Sequence, residues 1–171
     1  MTRANGEPAP GRVEGTDSRD SANLLHHTFI EFTMISFESK PELATFDAGA
    51  VGRAVGAAVG DDLRVVVEYD EFEYNLLYVD DDVVDHLGGP DALGALADDL
   101  HSDFRLDFTQ QELYEEVYGE FGSVRAFIVV LDGARVVRFV AEDSGLYVSV
   151  DPDASLDAVL DAVDAGVAGN E

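Results

Sequence analysis

Several groups of side chains in this sequence could do chemistry, and none has the spacing that chemistry needs. Asp80-Asp81-Asp82 offers carboxylates of the kind hard divalent cations take. Consecutive residues point in different directions, however, and the alternating pattern of a calcium loop is missing, so the run reads better as a solvated helix cap. His86 and His101 could act as bases, but they lie on different predicted segments with no partner at a useful spacing. His26 and His27 are adjacent, project apart, and have no further His or Cys placed to complete a metal site. Ser144 precedes Gly145 without the GxSxG elbow of a nucleophilic serine. Gly49, Gly52 and Gly56 do not form a phosphate loop, because GxxxxGK[ST] is absent. The chain has no cysteine, which excludes disulfides and thiolate chemistry together. The expectation is no catalytic, cofactor-binding or metal-binding residue, and no cofactor.

Two clusters suit recognition better than catalysis. Tyr69, Phe72, Tyr74 and Tyr78 gather around one predicted hairpin, and Arg125, Arg135 and Arg138 around another. Both are candidate partner or ligand patches. Core packing and cross-strand pairing compete as explanations for the aromatics. Pairing with the chain's own acids competes for the arginines.

The elements that must position these groups follow from periodicity and punctuation. Pro41 to Gly60 reads as a helix with Asp47 as N-cap, Val51, Val55 and Val59 repeating every fourth residue, and Gly60 as its end. Its three glycines weaken helix propensity and could mark a face where another element packs closely. Leu63 to Tyr69 and Tyr74 to Val79, rich in β-branched and aromatic residues, form a hairpin. Val83 to Leu87 makes a helical turn closed by Gly88-Gly89, and Pro90 opens a helix to about Ser102. Phe104 to Phe108 reads as a connector. Thr109-Gln110-Gln111-Glu112 has the form of a capping box, opening a helix that carries Leu113, Val117, Tyr118 and Phe121. Val124 to Leu131 and Arg135 to Ala141 pair across Asp132-Gly133, a type I′ turn signal. Leu146 to Val150 adds a strand, and a last helix places Leu156, Val159, Leu160 and Val163 on one face.

The fold class this predicts is α+β: a five-stranded, mostly antiparallel sheet flanked by helices, in the order α-β-β-α-α-β-β-β-α. Phe127 to Leu131 and Val65 to Val67 are apolar at successive positions, so both sheet faces should be covered, by helices or by a second copy of the chain.

Thirty-six acidic residues against ten basic ones give a net charge of -26 on a chain that is 46% hydrophobic. Disordered acidic tails lack that hydrophobicity. A folded domain with such self-repulsion needs screening, and the Debye length falls to about 3 Å at 1 M salt. The profile resembles proteins of extremely halophilic archaea. Residues 1–33 carry three basic and five acidic side chains, against seven and thirty-one in the remainder, and Met34 stands at the change. Residues 1–33 are therefore a flexible extension or a mis-annotated start with translation beginning at Met34, and residues 34–171 form a single α+β domain. With no signal-peptide pattern and no long apolar stretch, the expected location is cytoplasmic, with neither membrane nor nucleic acid as partner.

Over roughly residues 43–165 the element order resembles the roadblock/longin/profilin-like arrangement, although no diagnostic motif accompanies it. The VVVEYD strand, the LYVDDDV step and the LYVSVD strand resemble uncharacterised haloarchaeal proteins of unknown function. The roadblock-like resemblance implies dimerisation and a platform role for GTPases and signalling partners. The expected function is thus a non-catalytic interaction or regulatory module of a halophilic archaeon, as a homodimer or with a small regulatory protein. The alternative is a small-ligand sensor with a pocket between sheet and helices near Tyr69, Tyr74 and Tyr78.

Overall fold

The computed structural model describes residues 38–168, so the Met34 boundary and His26-His27 lie outside the described residues. Helix α1 (Ala48–Val59) leads through a 3-10 turn into β1 (Leu63–Asp70) and β2 (Tyr74–Val79). Three helices follow, α2 (Asp81–Leu87), α3 (Pro90–Phe104) and α4 (Asp107–Tyr118). Strands β3 (Ala126–Val130), β4 (Arg135–Val140) and β5 (Ser144–Val150) then lead to α5 (Leu156–Ala168). The sheet is antiparallel throughout, in the order β2-β1-β5-β4-β3. Among the described residues no helix is long and apolar enough to cross a membrane.

Side-chain alternation splits the sheet into two faces. Val66, Leu77, Val137, Leu146, Val148 and Val150 join Val51 and Val55 of α1 and Val159 and Val163 of α5 in one buried cluster. Close approach of these two helices explains a small residue: a Cβ on Gly166 would lie 2.8 Å from Val51 Cα. Gly49, Gly52 and Gly56 are all buried along α1. The opposite face carries Val67, Tyr69 and Tyr147, and Phe104 of α3 and Phe108 of α4 pack against it.

Local chemistry sets most boundaries. Asp47 accepts from Ala50 N and Asp80 from Asp82 N, so each caps a helix with its carboxylate. Pro90 occupies the first turn of α3. Residues 41–47 precede α1 rather than belonging to it, and Phe104 to Phe108 is not a connector, since Phe104 ends α3 and Asp107 opens α4. Two further expectations need correction. The Thr109 capping box does not form, because the chain stays helical through Arg105 and Leu106 and α4 already begins at Asp107. A capping box needs an extended residue at its head, and Thr109 lies inside the helix. The β3–β4 hairpin turns at Asp132-Gly133 as expected, closed by Leu131 N to Ala134 O at 2.9 Å. Gly133 lies outside the left-handed region, so the turn is not type I′.

Candidate functional site

Two buried carboxylates organise the molecule. Glu68, on β1, is wholly buried, and the donors it meets are neutral amides. Its Oε1 accepts from Glu42 N at 2.7 Å and Asn75 Nδ2 at 2.7 Å, and its Oε2 from Leu43 N and Ala44 N at 3.1 Å each. Charge-assisted bonds to backbone amides thus hold the segment before α1 against the sheet. Ser144 Oγ continues the clasp by accepting from Thr45 N at 3.0 Å. This serine is engaged in structure.

On the other face, the register sets Phe127, Arg138 and Tyr147 in one row across three strands. Arg138 reaches Asp107 at 3.3 Å and Asp103 at 3.6 Å, and its guanidinium lies over the Phe104 ring at 5.1 Å. Asp107, 1% exposed, also accepts from the Tyr69 hydroxyl at 3.0 Å. Its Oδ1 has only the ion pair with Arg138, whose geometry is not that of a hydrogen bond. Burial raises the Asp107 carboxyl above the usual aspartate range, against the opposing pull of Arg138. Burial and the neighbouring Asp107 together raise the Tyr69 phenol. Both groups therefore favour their neutral forms more than they would in water, and neither has the open face a catalytic base needs.

The sequence-predicted residues scatter. Tyr69 is buried, and a Cβ on Gly145 would lie 2.4 Å from its ring. Tyr74 donates to Asp98 at 2.7 Å and packs beside His101. Tyr78 packs against the core below α1 and α5. Phe72 stands out on the β1–β2 turn, 81% exposed. Arg125 pairs with Asp164, Arg135 donates to the Ala154 carbonyl, and Arg138 pairs as above. His101 Nε2 meets the Asp70 carbonyl at 3.0 Å. Among the described residues, no three of His, Asp or Glu converge as metal ligands.

One apolar surface lies open in the single chain. Ile128, Val129, Val130 and Leu131, expected to be covered by helices or by a second copy of the chain, are 39 to 64% exposed along the β3 edge of the single chain. Beside them α4 exposes Leu113, Val117 and Tyr118, and Phe121 beyond its end is 88% exposed. Gln111 and Glu115 bind the backbone of Val124 and hold α4 alongside this strand. The opposite edge is different: Glu38 N donates to Leu77 O of β2 at 2.7 Å. An apolar run next to an apolar helix stripe was the available signal, but it cannot distinguish cover within the chain from cover by another molecule.

Residues 49–167 match the family model described as Domain of unknown function (DUF7522). No curated protein matches the sequence. Among solved structures, the chain is similar to a Roadblock/LC7 domain from Streptomyces avermitilis at 14% identity and a TM-score of 0.46, covering 68% of this chain and 90% of that one. It is also similar to the gliding protein mglB from Thermus thermophilus at 12% identity and a TM-score of 0.48, covering 75% of this chain and 93% of that one.

Proposed function

The chain belongs to the DUF7522 family, and from that premise we propose that it is a non-catalytic interaction or regulatory module, working as a homodimer in the cytoplasm of a halophilic archaeon. The exposed β3 edge carries this reading. Ala126–Val130 pairs with β4 on one side and presents on the other an open edge of five apolar residues with no charge, beside the apolar stripe of α4. Such an edge is a template for pairing with another chain, and monomeric proteins blunt it with charge, proline or a bulge. None of those devices is present in Ala126–Val130. A second copy fits it because an antiparallel β3–β3 contact about a two-fold axis is self-complementary. An uncharged seam also suits two chains of net charge -26. Of the candidate patch residues, Phe72 and Arg125 are exposed, and the ring of Phe72, unpaired among the described residues, supports its meeting a further partner.

Sedimentation in molar KCl tests this. The wild-type chain should sediment as a dimer at micromolar concentration, and Val130→Glu as a monomer with an unchanged far-ultraviolet spectrum. A monomeric wild type, or a variant that still dimerises, would overturn the reading.

A further inference from the structure

Helix α3 carries an apolar stripe, Leu93, Leu96, Ala97, Leu100 and Phe104, yet only Phe104 is buried. The stripe faces Val65, Val67, Leu76 and Tyr147 of the sheet across a cavity of about 400 Å³. Val83 and Leu87 of α2 close one side, and Leu131, Gly133 and Ala134 at the β3–β4 turn another. This volume is in the range of small-molecule sites, ~300–1,000 Å³. An apolar cavity of about 150 Å³ takes benzene, so this one would hold on the order of sixteen non-hydrogen atoms.

The lining has a second property that packing does not require. The chain has 36 acidic side chains, and among the described residues none of them lines this cavity. The groups there able to carry positive charge are Arg64, His86 and His101. His101 is held by the Asp70 carbonyl at Nε2. Arg64 is the extra residue at a register shift between β1 and β5, and it engages Asp151 through Nε and the Gly133 carbonyl through Nη1. Among the described residues, that leaves Nη2 for an incoming group.

We propose that this cavity binds a small amphiphilic anion, with its apolar body between α3 and the sheet and its carboxylate-type head at Arg64 and His86. The inference stands apart from the dimer reading, since the two surfaces share only Leu131.

Calorimetric titration with decanoate, decanol and decyltrimethylammonium tests body and head separately. Decanoate should bind one per chain and raise the melting temperature, with decanol at least tenfold weaker and the cation weaker still. Arg64→Gln should weaken decanoate at least tenfold and leave decanol unchanged. Ala97→Phe fills the cavity and should abolish all binding, and Leu96→Phe repeats that test from a more exposed position. Val130→Glu, which removes the proposed dimer contact, should bind decanoate as the wild type does. Equal binding of the three probes, or no saturable binding of decanoate, overturns the proposal. Binding that survives both cavity-filling variants does the same, since the probe then sits elsewhere.

Discussion

Arg138→Met should destabilise this protein far more than Asp107→Asn, although each removes one partner of the same ion pair. Methionine leaves the Asp107 carboxylate, 1% exposed, with no cation and only the Tyr69 hydroxyl at 3.0 Å. Stranding a buried charge in this way costs about 3–5 kcal/mol. Asparagine removes the charge that burial already disfavours. Arg138, whose side chain is 12% exposed, keeps Asp103 at 3.6 Å and the face of Phe104. That loss is close to one hydrogen bond, about 1 kcal/mol. The two variants should therefore differ by about 3 kcal/mol, or ~6–12 °C in melting temperature at ~2–4 °C per kcal/mol.

The pH dependence follows from the raised Asp107 carboxyl. A carboxyl whose folded pKa lies above its unfolded value penalises the fold once ionised, and the penalty vanishes as pH falls below both values. Removing Arg138 raises it further. The Arg138→Met deficit should thus be largest near neutrality and shrink as pH falls towards the aspartate range. Urea unfolding in molar KCl, followed by circular dichroism at neutral and mildly acidic pH, measures both effects. Equal destabilisation by the two variants, or a deficit constant with pH, would refute this account. The double variant should recover most of what Arg138→Met loses.

Two further perturbations test the clasp and the close packing on either side of the sheet. Glu68→Ala strips the acceptor from three backbone amides and Asn75. At ~1–3 kcal/mol for each buried donor that stays unpaired, with water reaching some of them, it should cost about 3 kcal/mol. Hydrogen exchange should locate the loss at Glu42 to Ala44 while β1 stays protected; uniform loss would contradict a local clasp. Gly145→Ala would drive a methyl into Tyr69, whose ring is backed by Phe104 and Phe108, and should cost about 2–3 kcal/mol. A change under about 0.5 kcal/mol, typical of surface sites, would mean the ring is not locked.

Much of the fold was legible because its signals are local. Val65 to Val67 and Val136 to Val137 are β-branched runs, and Asp47, Asp80 and Pro90 act on backbone groups within a few residues. The Thr109 capping box failed because the two residues linking α3 to α4 stay helical, which no residue near Thr109 records. Asp107 shows the same limit from the other side. Within Phe104 to Phe108 it reads as one polar position in a connector, and its importance comes from Tyr69 and Arg138, which are distant in sequence. Glu68 carried a weak signal, an acid inside an apolar strand, but its partners lie 24 to 26 residues earlier.

The charge of -26 acquires a sharper use once its acids are placed. Among the described residues, Glu68 and Asp107 are the only buried acids, and both are held by hydrogen bonds. The other described acids lie wholly or partly in solvent, where their repulsion is screened by salt. Against so acidic a surface, a region without carboxylates is informative. Strand β3 is one such region, and the cavity beneath α3 is another. Neither is required to be acid-free by the packing of the core, since both lie at its margin. An edge that meets a second chain of the same charge, and a cavity that takes an anion, each need that exclusion. Leu131 borders both, so a ligand that moves the β3–β4 turn would also move the end of the edge strand.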